Sequence, residues 1–217
     1  MKLELFVVGP LQTNCYLLWD EDSGEAIVID PGDEGDFLSE NIVRRNLHLE
    51  SILLTHGHFD HVVGLLPLTL NFPEAKMYLH PADHFLYARA ASSARHFVPN
   101  YAPDPLPLIE SLTLKDPSAK HLERPQKGQT LRGEIEVILT PGHTPGSMCF
   151  YLPKKGWLFT GDTLLKGTIG ETHHKYSRPL DLSRSLEKLF TLPPETVVYP
   201  GHGEPTTLAA EVPSNHP

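Results

Sequence analysis

Residues 55–61 read Thr-His-Gly-His-Phe-Asp-His, which places three histidines and an aspartate within seven positions. Imidazole nitrogen and carboxylate oxygen are ligands that zinc, iron and manganese accept in proteins. The preceding run, Ser51–Leu54, is short and apolar and predicts a buried strand. Gly57 lets the backbone turn where this strand ends. We therefore predict a metal-binding turn at a strand end. Its candidate ligands are His56, His58, Asp60 and His61.

The same pattern, a strand followed by a tight turn that carries a metal-ligand side chain, recurs three times further along the chain. Residues 140–146 read Thr-Pro-Gly-His-Thr-Pro-Gly after the strand-like run Glu134–Leu139, and Gly-Asp follows the run Trp157–Thr160. The last run, Thr196–Tyr199, ends in Pro-Gly-His-Gly. Glycine and proline flank each candidate, as expected where the backbone must place a side chain tightly. The additional candidate ligands are His143, Asp162 and His202.

Strands and helices alternate along the chain in a way that favours two sheets. The predicted opening strands are Lys2–Val8, Asn14–Trp19 and Ala26–Ile29, which form a β-meander ending in the turn Asp30-Pro31-Gly32. Helices are predicted over Gly35–Asn46, Val62–Leu70, Pro81–Ala91 and about Leu182–Phe190. Because hairpins open both halves, two packed sheets with helices outside fit better than one parallel sheet. No linker divides the chain, so we expect a single domain over 1–217.

Residues 92–118 show no clear periodicity and contain several prolines together with Phe97 and Tyr101. A loop of this length inside a compact domain is usually a lid, a binding loop or a disordered segment. The aromatic residues favour a lid.

Charge and cysteine content exclude several classes of partner. The net charge is −9, from 18 basic and 27 acidic residues without a basic run, which argues against a nucleic-acid partner. The two cysteines, Cys15 and Cys149, are far apart and are expected to be small buried residues without a disulfide. Neither a signal-peptide pattern nor a membrane-length apolar stretch is present. We therefore expect a cytoplasmic protein with a small-molecule substrate; the sequence does not indicate its oligomeric state.

The ligand pattern resembles the metallo-β-lactamase superfamily, in which His-x-His-x-Asp-His is followed by a His, an Asp and a His, each at a strand end. All seven positions are filled here, and the resemblance covers nearly the whole chain, including the turn at residues 30–32. It implies an α+β fold, a four-layer αββα sandwich of two mixed sheets with helices outside. Thr-Pro-Gly-His-Thr-Pro-Gly and Thr-Gly-Asp-Thr-Leu are most similar to glyoxalase II and its short relatives.

This resemblance implies a binuclear centre with two divalent metal ions, zinc by preference, with iron or manganese as alternatives. One ion would take His56, His58 and His143. The other would take Asp60, His61 and His202, with Asp162 bridging the two. A metal-activated bridging hydroxide would then cleave a small thioester or ester, with Asp60 as the catalytic residue that orients it. Asp30 and Thr55 either hold the ligand imidazoles in the right tautomer or serve only as hydrogen-bonding turn residues.

Two features depart from glyoxalase II. Its C-terminal helical domain, which supplies part of the glutathione site, is expected to be absent, because the chain stops about fifteen residues after His202. Glu171 stands where the relatives carry Arg or Lys, which leaves open whether glutathione is the carrier. The neighbouring His173, His174 and Lys175 either supply the missing positive charge or are solvated loop residues.

Two other functions remain open for the same fold. A mononuclear iron persulfide dioxygenase would share the ligand turns, but its Gly-Arg-Thr-Asp stretch is not matched by Gly-Glu-Thr-His at residues 170–173. A non-catalytic metal-binding module would keep the ligands and lack turnover.

Overall fold

The computed structural model describes residues 1–108, 130–131 and 135–212. The chain divides into two compact units, 1–114 and 115–217, and each contains one mixed sheet. Within the described part of the chain, every helix is too short or too polar to cross a membrane. The single domain over 1–217 stays a prediction.

The sheet of the first unit has five strands in the order in which they occur along the chain. They are β1 (Lys2–Val8), β2 (Thr13–Trp19), β3 (Glu25–Ile29), β4 (His48–Leu53) and β5 (Lys76–Tyr78). The first three form the predicted antiparallel meander, whereas β3, β4 and β5 run parallel. Because Ile29 pairs with Leu53, the turns that follow β3 and β4 leave the same edge of the sheet. This register brings Asp30 close to Thr55.

Four helices accompany this sheet: α1 (Gly35–Arg44), α2 (Leu65–Asn71), α3 (His84–Tyr87) and α4 (Ala90–Phe97). Two 3₁₀ turns, Phe59–His61 and Pro81–Asp83, lie between them. Leu38 and Ile42 of α1 belong to the core of the unit.

The predicted helix Pro81–Ala91 is wrong in its extent. The backbone leaves α-helical geometry at Asp83, where φ is −103° and ψ is 4°, so the segment forms a 3₁₀ turn and the short helix α3. A separate helix, α4, covers residues 90–97 and overlaps the predicted aperiodic loop. Residues 109–118 of that loop lie outside the described residues, and its role as a lid stays a prediction.

The sheet of the second unit has the strand order β13-β12-β9-β8-β7-β6. Its strands are β6 (Thr130–Leu131), β7 (Ile135–Leu139), β8 (Met148–Leu152), β9 (Trp157–Gly161), β12 (Val197–Pro200) and β13 (Thr206–Thr207). A separate hairpin joins β10 (Leu164–Leu165) to β11 (Thr168–Ile169), and the helices are α5 (Pro179–Leu189) and α6 (Leu208–Glu211). All pairs are antiparallel except β9 with β12. Because β9 and β12 run parallel, the turns that follow them lie at the same edge of the sheet. These turns carry Asp162 and His202.

The core of the second unit includes residues of β8, β9 and β12 together with Leu189 of α5. Strand β8 is buried along its whole length. Cys149 lies inside it as a buried thiol outside any disulfide, and Cys15 is likewise buried and outside any disulfide.

Candidate metal centre

The structure brings together the four ligands predicted in the turn after β4. His56 and His61 are buried, whereas His58 and Asp60 are partly exposed. His56 Nε2 lies 3.0 Å from His58 Nδ1, and the rings of His56 and His61 are 4.2 Å apart between centroids. His61 Nε2 lies 3.7 Å from Asp60 Oδ2. Ring nitrogens and a carboxylate oxygen therefore converge within this unit.

Asp30 fixes the orientation of the His61 ring. Its Oδ1 accepts the Thr55 backbone N–H at 2.7 Å, and its Oδ2 lies 2.6 Å from the Thr55 hydroxyl and 2.9 Å from His61 Nδ1. A carboxylate only accepts hydrogen bonds, so His61 Nδ1 carries a proton; in the neutral ring, Nε2 then keeps its lone pair. This is the tautomer that binds a metal through Nε2.

Thr55 sets the tautomer of His56 through a similar hydrogen bond. Its hydroxyl hydrogen is donated to Asp30, so its oxygen accepts from His56 Nδ1, 3.0 Å away. In the neutral ring, His56 Nε2 then keeps its lone pair, and this atom lies 3.0 Å from His58 Nδ1. Asp30 and Thr55 thus serve both of the roles considered above, because the same bonds close the turn and set the tautomers of two histidines.

Two residues in contact with this turn were missed by the sequence analysis. The Thr13 hydroxyl donates to Asp60 Oδ2 at 3.3 Å, and Asp83 Oδ2 accepts the backbone N–H of Gly57 at 3.0 Å. Thr13 and Asp83 lie 47 and 26 residues from their partners in sequence, so no local pattern signals either contact.

The reason for a glycine at position 57 also differs from the predicted one. Gly57 does not have a positive φ; a Cβ there would lie 2.8 Å from the Asp83 carbonyl oxygen.

Cys15 is near Asp30 but does not add a thiolate to the donor set. Burial, and secondly the negative charge of Asp30, raise the pKa of the Cys15 thiol well above its ordinary value. Because the thiolate is the form that binds metal, the protonated Cys15 is a packing residue.

The second unit brings the other three predicted ligands together, with His143 and His202 on either side of the Asp162 carboxylate. Asp162 Oδ2 lies 3.8 Å from His143 Nε2 and 3.7 Å from His202 Nε2. His143 follows β7, and the parallel strands β9 and β12 deliver Asp162 and His202. His143 is buried, and His202 has 28% of its side chain exposed, so this cluster is open on one side.

Glu171 contacts His143 through its backbone. Its carbonyl oxygen lies 2.8 Å from His143 Nδ1; a carbonyl only accepts, so Nδ1 donates and Nε2 keeps its lone pair. The Ser177 hydroxyl also donates to the His143 carbonyl at 2.7 Å. The side chain of Glu171, on which the sequence analysis focused, is exposed. A backbone contact leaves no trace in residue type, which is why this role was missed.

The candidate cations of the 170–176 loop differ in their surroundings. His173 and Lys175 are exposed, whereas the partly buried His174 stacks on Tyr176 with ring centroids 5.0 Å apart. Exposed cations fit either predicted reading, a charge for the substrate or a solvated loop.

The donor atoms in each unit fit divalent metal ions. Two nitrogens bound to one tetrahedral zinc at about 2.05 Å lie about 3.3 Å apart, close to the 3.0 Å between His56 and His58. The histidine–aspartate pairs, at 3.7 to 3.8 Å, are too long for hydrogen bonds, but they match two ligands that share an ion. The imidazole and carboxylate set is the kind that zinc, iron and manganese accept.

The comparison with known proteins agrees with this donor set. The sequence model of the metallo-β-lactamase superfamily matches residues 8–202, a range that includes every residue of both clusters. The chain belongs to the metallo-β-lactamase superfamily. The resemblance stated from the ligand pattern is thereby confirmed, and so is the predicted fold, with two mixed sheets and helices. The superfamily includes metallo-hydrolases: the probable metallo-hydrolase YqgX of Bacillus subtilis is 32% identical over 99% of this chain and 96% of that protein.

Individual relatives align with nearly the whole of this chain of the metallo-β-lactamase superfamily. It is 34% identical to the hydroxyacylglutathione hydrolase GloC of Haemophilus influenzae, over 99% of this chain and 97% of that protein. The solved structure of TTHA1623 in a di-iron-bound form shares 36% identity, covers 98% of each chain and superimposes with a TM-score of 0.80. The structure of ETHE1 from Myxococcus xanthus is 28% identical, with a TM-score of 0.70, and covers 97% of this chain and 81% of that one.

Proposed function

We propose that the chain is a binuclear metal-dependent hydrolase of small thioesters or esters, glyoxalase II-like in its metal centre. In this proposal His56, His58 and His143 would hold one ion, and Asp60, His61 and His202 would hold the other, with Asp162 shared between them. The observation that carries it is the convergence of donor atoms: His56 Nε2 lies 3.0 Å from His58 Nδ1, His61 Nε2 lies 3.7 Å from Asp60 Oδ2, and Asp162 Oδ2 lies within 3.8 Å of the Nε2 atoms of His143 and His202. Full-length similarity to GloC supports the substrate class.

The chain's own residues prepare the site for attack of water on an acyl carbon. Bound divalent ions lower the pKa of water and stabilise the negative charge that develops on the acyl oxygen. Asp60 is partly exposed, and its Oδ2 is held by the Thr13 hydroxyl, so the carboxylate is placed to orient the attacking water. As the water oxygen bonds to the acyl carbon, the carbon–sulfur bond breaks and the sulfur leaves as a thiolate. No strong acid is needed because thiols are far more acidic than alcohols, and the proton that the water gives up passes to solvent.

We propose zinc for both positions, with iron or manganese as alternatives. The similarity to TTHA1623 in its di-iron-bound form supports the number of ions and keeps iron open. The donor chemistry accepts all three metals. Metal identity therefore has to be measured together with activity.

The second candidate function is that of a mononuclear iron persulfide dioxygenase. The similarity to ETHE1 favours it, although that identity is lower than the identity to GloC. The Gly-Glu-Thr-His stretch at residues 170–173 does not match the Gly-Arg-Thr-Asp expected for that class. A non-catalytic metal-binding module is the third reading.

One purification with three measurements separates these functions. Metal content is determined by mass spectrometry, hydrolysis is followed on a panel of acyl-thiols that includes S-lactoylglutathione, and oxygen uptake is followed with a persulfide. Two ions per chain with thioester hydrolysis supports the proposal. One iron with oxygen uptake supports the dioxygenase, and bound metal without turnover supports the module.

A further inference from the structure

We propose that Asp83 is a positioning residue of the metal centre, whose carboxylate holds the turn between His56 and His58. The inference rests on the proposed function, because it assumes that those histidines bind metal. Asp83 lies in the 3₁₀ turn Pro81–Asp83, outside every motif that the sequence analysis singled out.

Asp83 touches Gly57 with both its side chain and its backbone. The residue is fully buried, and its Oδ2 accepts the Gly57 backbone N–H at 3.0 Å. A Cβ added at Gly57 would lie 2.8 Å from the Asp83 carbonyl oxygen and 3.0 Å from Leu86 Cβ. The segment that contains Asp83 and Leu86 is therefore packed directly against the peptide chain between the two histidines.

A buried carboxylate in this position has a clear physical effect on the turn. Burying a charged group costs free energy unless it is hydrogen-bonded, and a backbone N–H donated to a carboxylate makes a strong, short bond. This bond fixes the peptide plane between His56 and Gly57. His58 is the next residue, so the direction in which its side chain leaves the backbone depends on that plane.

Asp83 complements the contacts that orient the neighbouring rings. Thr55 and Asp30 set the tautomers of His56 and His61 through their Nδ1 atoms. Asp83 acts on the backbone instead, and it does so at the residue that separates His56 from His58. The 3.0 Å between His56 Nε2 and His58 Nδ1 is a hydrogen-bonding distance that also suits two ligands of one ion, and we expect it to depend on this placement.

The local sequence is arranged to present Asp83. His80 Nδ1 accepts the Ala82 backbone N–H at 3.2 Å, and Pro81 occupies the first position of the turn, where a missing N–H costs nothing. The turn ends with Asp83 in a non-helical backbone conformation, and helix α3 begins directly after it.

The test compares zinc affinity among folded variants. Asp83→Ala removes the acceptor, and Ile42→Ala is the control, because Ile42 is a fully buried residue of the same core on helix α1. The dissociation constant of zinc is measured by competition with a chromogenic chelator, and the unfolding of the metal-free proteins is measured in urea. We expect Asp83→Ala to raise the dissociation constant about tenfold, the lower end of losses known for groups that orient metal ligands. Ile42→Ala should lower stability without changing affinity.

Wild-type zinc affinity in folded Asp83→Ala would overturn the inference, as would an equal loss of affinity in Ile42→Ala. If Asp83→Ala does not fold, Asp83→Asn takes its place, since it keeps the shape and one acceptor oxygen but not the charge. The Gly57 amide resonance of that variant should exchange faster with solvent, with weaker zinc binding; an unchanged amide and unchanged affinity would refute the role. A wild-type protein that binds zinc but hydrolyses nothing would instead count against the proposed function alone.

Discussion

Exchanging Asp30 for asparagine should reverse the protonation of the His61 ring. Asp30 Oδ1 accepts the Thr55 backbone N–H, so the amide oxygen of the introduced asparagine must take that position. The amide nitrogen then occupies the position of Oδ2, 2.9 Å from His61 Nδ1 and 2.6 Å from the Thr55 hydroxyl, and donates to both where the carboxylate accepted. The Thr55 hydroxyl hydrogen then turns to His56 Nδ1, so the tautomer of His56 should reverse as well. His61 Nδ1 has to accept, its proton moves to Nε2, and Nε2 loses the lone pair that a metal needs.

The size of the effect follows from the bonds involved. To bind metal in the variant, His61 must return its proton to Nδ1. The Nδ1–H then faces the side-chain N–H of the introduced asparagine, so two buried donors lie opposite each other without an acceptor. An unsatisfied buried donor costs about 1–3 kcal/mol, which corresponds to a loss of roughly 5-fold to 150-fold in metal affinity. The backbone should tolerate the exchange: Asp30 has a φ of +50°, a left-handed conformation that asparagine adopts readily. We therefore expect a folded protein with weakened zinc binding.

The assay measures the zinc dissociation constant by chelator competition and the His61 tautomer from ring nitrogen shifts in the metal-free protein. The matched control is Asp33→Asn, since the Asp33 carboxylate, in the same turn region, accepts from the Tyr101 hydroxyl and the Glu34 N–H rather than from a histidine. The control should change affinity by less than about twofold. An Asp30→Asn protein that keeps wild-type affinity, or keeps the proton on Nδ1, would refute the tautomer argument.

Three further substitutions test other parts of the site. His58→Ala should abolish hydrolysis and lower the metal content measured by mass spectrometry; full metal content with retained activity would exclude His58 as a ligand. Glu171→Arg should leave zinc affinity unchanged, because only the Glu171 carbonyl contacts His143, but should lower KM for an anionic glutathione thioester by roughly threefold or more. An unchanged KM would show that this charge does not set carrier preference. Burial lowers the pKa of His80 below its ordinary 6.5, so the unfolded state binds more protons and stability falls as the pH drops below that value. His80→Asn keeps a capping acceptor but does not titrate, so its free energy of unfolding in urea should fall less than that of the wild type between about pH 7 and about pH 5. An equal fall in both proteins would show that His80 does not cause the loss.

The candidate ligands could be selected from the sequence because each one lies at a boundary that is visible in the local sequence. A short apolar run predicts a strand, and glycine or proline marks its end, so the residue in between is placed at a sheet edge without knowledge of the fold. Asp162 and His202 show this well, since they follow the parallel strands β9 and β12, which end side by side. These two residues could be selected as candidates without knowing which strands pair with each other.

The contacts that support the candidate ligands were harder to predict from the sequence, and the reasons are physical. Thr13 reaches Asp60 across 47 residues and Glu171 acts through its carbonyl, so neither sequence distance nor residue type reveals them. Helix α4 escaped the periodicity analysis because its buried positions, Ala90 and Ala94, are small and give a weak apolar pattern. The two-residue strands β10, β11 and β13 are too short for any alternation to appear.

Close backbone packing places the candidate aspartate ligand in the same manner in each unit. A Cβ at Gly32 would lie 1.8 Å from the Asp60 carbonyl oxygen, and a Cβ at Gly170 would lie 1.8 Å from the Asp162 carbonyl oxygen. No side chain fits at such a distance, so a glycine from a neighbouring turn is required wherever the chain bearing the aspartate approaches that closely. Each of these glycines also adjoins a segment that fixes a histidine tautomer: Gly32 follows Asp30 by two residues, and Gly170 precedes Glu171. One short segment per unit therefore sets both the backbone position of an aspartate and the protonation of a histidine. The geometry of the centre depends on these segments as much as on the ligands.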